Sequence, residues 1–239
     1  MSINLNKPIR GVSLDLGWTL LCPPSGDWFF SDFARRFFRE ELLRSLPAER
    51  VESAMVKAER HLNVNHHLAV TMDAEYGQFL RYYTILSEEL PELGITPRQL
   101  EEITRDKVYN LDNYALFPGT LNTLEALRGK YRLCIISDTW PSIEPVMEKF
   151  GLKPYFDGIT YSYQVGVYKP DPKIFRHALA QLGLPAGETV FVDDTPGNLR
   201  GARELGVQPI LIREKPGPAT AEDMASIDCI DDLPALLEA

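Results

Sequence analysis

Short apolar runs alternate with amphipathic segments through much of this chain. Five runs have the length and composition of buried strands, and they cover residues 9–16, 134–138, 158–162, 189–194 and 208–212. Segments with helical spacing lie between them, at 120–129, 142–150, 172–182 and 196–205. Glycines directly after three of these segments are typical helix stop signals. The pattern predicts an α/β fold, with a Rossmann-like parallel sheet that carries helices on both faces.

A long block with only helical patterns separates the first predicted strand from the others. Phe29, Phe33 and Phe37 repeat every four residues, and a longer apolar face runs through residues 72–90. The sequence TPRQ at 96–99 predicts a helix that begins with a capping box and a proline in its first turn. No strand pattern is visible in this block.

This arrangement predicts two domains. Residues 1–20 and 115–239 form the α/β core domain, and residues 21–114 form an inserted all-helical cap domain. Ligands of open α/β sheets bind at the carboxyl ends of the strands. An insertion directly after the first strand is therefore well placed to cover a site there.

Composition and charge argue against several classes of binding partner and location. The chain has 239 residues and a net charge of −9, which argues against binding to nucleic acid or to anionic membranes. No run approaches the roughly 20 apolar residues of a membrane span. Cys22, Cys134 and Cys229 lie far apart and form no CxxC pair, as expected for reduced thiols. These features predict a cytoplasmic protein.

Polar residues collect where the predicted strands end. Because parallel strands present their carboxyl ends at one edge of a sheet, these side chains are expected to share one site. Several carboxylates at one place repel each other, and a Mg²⁺ ion, which prefers oxygen ligands, relieves that repulsion. The residues are Asp15, Ser137, Asp138, Lys169, Asp193 and Asp194.

Four motifs in order resemble the haloacid dehalogenase-like (HAD) hydrolase superfamily. They are DLGWTL at 15–20, SD at 137–138, the lysine of GVYKPDP at 166–172, and VDDTPGNLRGA at 192–202. The wording of GLKPYFD and GVYKPDPKIF is similar to the subgroup that has a helical cap after its first motif. The resemblance implies a Mg²⁺-dependent phosphatase that works through an aspartyl-phosphate.

The resemblance also implies a role for individual residues. Asp15 matches the nucleophile, Ser137 the hydroxyl that binds the transferring phosphoryl group, and Lys169 the lysine that offsets its charge. The positions that bind Mg²⁺ in the family are matched by Asp15, Asp193, Asp194 and the backbone carbonyl of Gly17. Trp18, Asp138 and Asn198 are expected on the substrate side of the site. Trp18 could form a wall for the substrate or pack beneath the cap hinge.

Gly17 is a departure from the family pattern. Most phosphatases of the family have a second aspartate there, which protonates the leaving group and then activates water. Glycine keeps the carbonyl ligand but removes this acid and base, a kind of catalysis typically worth roughly 10²–10⁴ in rate. Another group could replace it, the substrate could have a good leaving group, or the enzyme could be weak.

The sequence therefore predicts a phosphatase that acts on a small phosphorylated metabolite, as a monomer or homodimer. Two alternatives stay open at this point. The first is a non-catalytic or weakly active protein that binds a phosphate or metabolite. The second is a 2-haloacid dehalogenase, although dehalogenases of this family generally lack paired acids such as Asp193 and Asp194.

Overall fold

The structure is a computed structural model that describes residues 5–215 and 223–239. The chain divides into two compact units. The α/β unit comprises residues 1–22, 116–139 and 147–239, and the helical unit comprises residues 23–115 and 140–146. Residues 1–4 and 216–222, which fall in the predicted core domain, lie outside the described residues. The assignment of the helical segment 21–114 as a cap domain stays a prediction.

The strands of the described chain are β1 (Gly11–Leu14), β2 (Leu21–Cys22), β3 (Ala115–Leu116), β4 (Arg132–Ser137), β5 (Gly158–Tyr161), β6 (Thr189–Asp193), β7 (Gln208–Ile212) and β8 (Ala225–Ile227). Six of them form the parallel sheet of the α/β unit, in the order β5-β4-β1-β6-β7-β8. This confirms the predicted α/β, Rossmann-like fold. Short β2 and β3 form a separate two-stranded sheet, and neither they nor β8 were predicted.

Helices account for most of the remaining regular structure. The helical unit contains α1 (Glu40–Ser45), α2 (Ala48–Asn65), α3 (Met72–Glu89) and α4 (Pro97–Tyr109). The others are α5 (Thr120–Leu127), α6 (Ile143–Lys149), α7 (Ser162–Val165), α8 (Pro172–Leu182), α9 (Pro196–Glu204) and α10 (Leu233–Glu238). No helix among the described residues is long and apolar enough to cross a membrane.

The central strands of the sheet are buried on both faces, as expected for a parallel sheet between helices. Helix α8 contributes Ile174, Phe175 and Leu182 to one apolar cluster, and β6 contributes Phe191. The rings of Phe175 and Phe191 meet edge to face, with centroids 5.5 Å apart. Packing on both faces fixes the positions of β1, β4 and β6, whose carboxyl ends carry the candidate site.

The apolar face predicted within residues 72–90 forms the core of the helical unit. Phe79, Tyr83 and Leu86 of α3 are fully buried there. Helix α4 begins with the predicted capping box, in which the Gln99 side chain accepts a hydrogen bond of 2.8 Å from the Thr96 N–H.

The continuous helix suggested by Phe29, Phe33 and Phe37 does not form, and that prediction is wrong. This stretch contains only a short 3-10 helix at Ala34–Arg36. The Asp27 carboxylate accepts hydrogen bonds from the N–H groups of Phe29 and Phe30, at 2.7 and 3.1 Å. A short acidic side chain that binds nearby N–H groups offers the backbone an alternative to a helix. The three phenylalanines still pack against the core of the helical unit, which explains their spacing.

His66 makes the stability of the helical unit sensitive to acid. Its side chain is buried, and its ring meets Trp140 edge on, with centroids 4.6 Å apart. Burial, assisted by the charge of His67, lowers the pKa of His66 to about 4. Unfolding returns this pKa to about 6.5, so the unfolded chain binds a proton more readily than the folded protein. The folded state therefore has its full stability above pH 6.5 and loses stability as the pH falls toward 4.

We therefore expect the free energy of unfolding to fall by about 2–3 kcal/mol more in the wild type than in His66→Gln between pH 7 and pH 4.5. Urea unfolding at both pH values measures this difference. His67→Gln is the matched control. It should stay close to the wild type, because burial of His66, and not the charge of exposed His67, is the larger cause of the lowered pKa. Equal pH dependence in His66→Gln and the wild type would contradict the assignment.

Candidate active site

The candidate site lies where three neighbouring strands end. β1 is paired with β4 on one side and β6 on the other, so the residues after these strands meet at the carboxyl edge of the sheet. Asp15 directly follows β1, and its N–H donates to the carbonyl of Val192 at 3.0 Å. Ser137 ends β4 and Asp193 ends β6. The register thus brings together residues from distant parts of the sequence.

Lys169 is the cation at the centre of the site. Its Nζ lies 2.8 Å from Oδ1 of Asp15 and 2.7 Å from Oδ2 of Asp193, and its side chain is 2% exposed. The ammonium also donates to the carbonyl of Ile136 at 3.2 Å. A buried lysine held by two carboxylates and a carbonyl is confined to one position, from which it can face a substrate bound at Asp15.

Asp193 holds several neighbouring groups of the cluster in place. Besides Lys169, its carboxylate accepts hydrogen bonds from the Thr195 N–H at 2.7 Å and from the Asn198 amide at 3.1 and 3.2 Å. Its side chain is fully buried. Because both oxygens already have protein donors, Asp193 is better suited to holding Lys169 and Asn198 than to supplying most of a metal's coordination.

Asp194 has fewer donors and a second lysine nearby. Its Oδ1 accepts a hydrogen bond of 3.3 Å from the Thr195 hydroxyl, and its Oδ2 lies 3.4 Å from Nζ of Lys215. Sequence reasoning missed Lys215. It follows β7, which lies beside β6, so the rule that assembled the other strand ends could have found it.

Burial sets the electrostatics of the site. It raises the pKa of Asp15 to about 7, an effect that Lys169 opposes and Asp193 reinforces. Burial also raises the pKa of Asp194, with a further contribution from Asp193. Burial alone would lower the pKa of Lys169, but the charges of Asp15 and Asp193 outweigh it and raise that pKa above its usual range. Lys169 therefore stays charged, whereas the ionised forms of Asp15 and Asp194 are destabilised by burial.

The residues present fit a divalent cation. Asp15, Asp193 and Asp194 each offer one carboxylate oxygen, and these atoms lie within 4.8 Å of one another. All three residues are buried, and oxygen ligands of this kind suit Mg²⁺. A cation placed among these oxygens would stabilise the ionised forms of Asp15 and Asp194, whose pKa values are raised by burial and by the charge of Asp193.

A tight loop connects Asp15 to β2. The N–H groups of Leu20 and Leu21 donate to the carbonyl of Leu16 at 2.9 and 2.8 Å, and the Trp18 N–H donates to the carbonyl of Leu21 at 2.7 Å. Trp18 has a φ of 58°, a left-handed conformation that favours glycine. Gly17 is not among the glycines of the described chain that have positive φ. The strained position is therefore Trp18, not Gly17.

Three further predicted residues have definite places. Ser137 is buried at the end of β4. Asp138 is exposed, and its Oδ1 accepts a hydrogen bond of 2.9 Å from the Lys169 N–H. The Trp18 ring lies at a tilt to Phe117, with centroids 6.4 Å apart. Direct contacts thus join five of the predicted residues: Asp15, Asp138, Lys169, Asp193 and Asn198. Ser137 and Trp18 are placed here only by their positions in the strand and the loop.

Comparison with known proteins adds independent information. A family model described as a haloacid dehalogenase-like hydrolase matches residues 31–206. Phosphoglycolate phosphatase of Cupriavidus necator is 33% identical over 129 residues, which cover 52% of this chain and 56% of that protein. Phosphoserine phosphatase of Thermus thermophilus is 32% identical over 133 residues, which cover 54% of this chain and 53% of that protein. The chain thus spans about half the length of these curated relatives.

Solved structures with the same fold include a 2-haloacid dehalogenase from Pseudomonas syringae pv. Tomato DC3000. It superposes with a TM-score of 0.63 at 21% identity, over 97% of this chain and 99% of that chain. At this level of identity the likeness supports the fold and not the reaction.

Proposed function

This chain belongs to the haloacid dehalogenase-like hydrolase family, and from that membership we propose that it is a Mg²⁺-dependent phosphatase for a small phosphorylated metabolite. The observation that carries the proposal is the buried group of Asp15, Asp193 and Asp194 around Lys169. Three acids and one ammonium match the needs of phosphoryl transfer, which depends on positioning and charge stabilisation. The two phosphatases similar in sequence support the same reaction class.

In the proposed mechanism, Asp15 is the nucleophile. One carboxylate oxygen of Asp15 forms a bond to phosphorus while the bond from phosphorus to the leaving oxygen breaks. Water then attacks the aspartyl-phosphate and releases a proton to solvent, the bond between phosphorus and Asp15 breaks, and the carboxylate is regenerated with release of phosphate. Lys169, held 2.8 Å from Asp15, offsets charge on the phosphoryl oxygens in both steps.

The other site residues have supporting roles. Asp15, Asp194 and the Gly17 carbonyl, with Asp193 beside them, would hold Mg²⁺, which when bound neutralises charge and orients the phosphate. Ser137 would donate its hydroxyl to the phosphoryl group. Asp138, Asn198 and Trp18 would shape the substrate side of the site.

Asp194 distinguishes this proposal from dehalogenation. A 2-haloacid dehalogenase needs a nucleophile and a lysine but no cation that neutralises a phosphate, so it has no use for Asp194 beside Asp15. A protein that only binds phosphate could use the same cation site. The two phosphatases similar in sequence favour catalysis over binding alone.

One assay series tests the proposal. Aryl, acyl and alkyl phosphates are incubated with the protein in Mg²⁺ or in EDTA, and a 2-haloacid is tested in parallel. We expect phosphate release that depends on Mg²⁺. Halide release in EDTA would replace the proposal by dehalogenation, and Mg²⁺ binding without hydrolysis of any substrate would replace it by a binding function.

Gly17→Asp is expected to raise turnover of alkyl phosphates by about tenfold or more, and to change aryl phosphate turnover much less. An alkyl leaving group needs a proton, whereas an aryl leaving group is stable without one. Gly17 does not require positive φ, so an aspartate can adopt its backbone conformation. Steady-state kinetics on matched alkyl and aryl substrates measure the effect.

Gly17→Asn is the control for this experiment, because asparagine occupies the same space and cannot transfer the proton. It should leave the ratio of alkyl to aryl turnover unchanged. An equal gain in Gly17→Asn and Gly17→Asp would mean that shape, and not acid catalysis, limits the enzyme.

A further inference from the structure

A cationic cleft of about 540 Å³ lies at the opposite edge of the sheet from Asp15. Four cations line it, Arg10, Arg128, Lys130 and Arg132, against one acid, Asp157. Each cation also has one carboxylate beside it, so an anion that enters the cleft has to displace these partners.

The four cations are available to a ligand because their present partners hold them weakly. Each pairs with one carboxylate at 2.8–3.9 Å, and their side chains are 48–61% exposed. Exposed ion pairs of this kind are weak, so a multivalent anion can displace these carboxylates. The partners are Glu188 for Arg10, Glu125 for Arg128, Glu238 for Lys130 and Asp157 for Arg132.

Two guanidinium groups are held in position without a ligand. Arg132 donates to the carbonyl of Leu182 at 2.7 Å, and Arg128 lies over the Tyr155 ring, 5.6 Å from its centroid. These contacts limit the entropy that the side chains lose when they bind an anion. Arginine forks also match phosphate oxygens in pairs, which makes phosphate the anion that suits this cleft.

The cleft is also lined by aromatic side chains. Tyr131, Tyr155 and Phe156 are half-buried and line the same cavity. Flat faces beside arginines suit a ligand that has a ring attached to its phosphates.

The cleft is separate from the catalytic edge. Arg10 immediately precedes β1 and Arg132 begins β4, whereas Asp15 and Ser137 lie at the other ends of these strands. At about 3.3 Å per residue, the length of these strands puts roughly 15 Å between the two sites. A ligand in the cleft is therefore not bound by the catalytic residues.

We propose that this cleft is a second binding site, which takes a small anion with two or more linked phosphates. Such an anion occurs as a free inorganic ion or as part of a nucleotide. The cations recognise both forms, and only the nucleotide also engages the aromatic faces.

Calorimetric titration of the full chain in EDTA tests the proposal, with inorganic pyrophosphate and ADP as the two probes. The test variant is Arg128→Ala with Lys130→Ala, because both side chains form ion pairs only with exposed carboxylates. The control is Lys57→Ala with Arg98→Ala, which removes two similarly paired, exposed cations from the helical unit. Thermal unfolding verifies that both variants fold.

We expect pyrophosphate to bind the wild type and the control alike, and the test variant at least about tenfold more weakly. ADP that binds about tenfold more tightly than pyrophosphate identifies a nucleotide as the natural class, and equal affinities identify the phosphates alone. Binding of neither probe at millimolar concentration would overturn the proposal. So would equal affinity in the test and control variants.

Discussion

Asp15→Asn is expected to lower phosphatase turnover at least about 10³-fold while the protein keeps or gains stability. Asparagine has the shape of aspartate but cannot form the acyl-phosphate that divides hydrolysis into two displacements. The expected gain in stability has a separate cause. Burial raises the pKa of Asp15 to about 7, so its ionised form is costly in the folded protein, and the substitution removes that cost.

The two readouts are measured together, as steady-state hydrolysis of an aryl phosphate in Mg²⁺ and as thermal unfolding in EDTA. Asp32→Asn is the matched control, because Asp32 is exposed and should change neither quantity. Hydrolysis that persists in Asp15→Asn would exclude Asp15 as the nucleophile. Lost activity together with a large loss of stability would instead indicate a structural role.

Lys169→Met is expected to have the largest effect on stability. Methionine has a similar length but no charge, so Asp15 and Asp193 lose the ammonium that lies within 2.8 Å of both. Removal of one partner from a buried ion pair typically costs about 3–5 kcal/mol. Turnover should fall by about 10²–10³, since the phosphoryl oxygens lose their nearest cation.

Urea unfolding in EDTA and in Mg²⁺ separates these effects. Added Mg²⁺ should restore part of the stability of Lys169→Met, because the ion supplies positive charge to the same carboxylates. Lys215→Met provides the comparison, since Lys215 contacts Asp194 but is 51% exposed, and its loss should cost less than about 1 kcal/mol. Equal stability losses in the two variants would refute the central position given to Lys169.

The sequence was sufficient to predict five of the six strands of the sheet and most of the cluster, for a physical reason. A strand buried on both faces must be apolar along its length, so β1, β4 and β6 stand out as runs that end abruptly at polar residues. The rule that parallel strands share one carboxyl edge then brings Asp15 and Asp193 together. No estimate of side-chain geometry is needed for this step.

Other features depended on contacts that the sequence does not encode locally. Lys215 lies in an irregular segment after β7, and only its position beside Asp194 makes it relevant. Residues 140–146 belong with the helical unit, where the buried carboxylate of Glu75 accepts hydrogen bonds from the N–H and hydroxyl of Ser142 at 2.7 Å each. A partner 67 residues away leaves no periodic signal.

The left-handed conformation of Trp18 was also beyond prediction. Its φ of 58° lies in the left-handed region, which glycine adopts readily and other residues rarely. Tryptophan there carries a strain of about 1 kcal/mol, to which the contact with Phe117 gives some compensation. Gly17 is thus unusual for its chemistry, and Trp18 for its backbone conformation.

The order of the central strands has a consequence for synthesis. β1 leaves the ribosome first, but its two neighbours in the sheet, β4 and β6, are made much later. Until then the nascent chain presents an apolar strand with two open edges, which is a hazard for aggregation. Because Asp193 and Asp194 are translated only after β4 and Lys169, a chain interrupted before β6 contains Asp15 and Lys169 but lacks the acid that holds Lys169 in place. The candidate site is therefore completed late in translation.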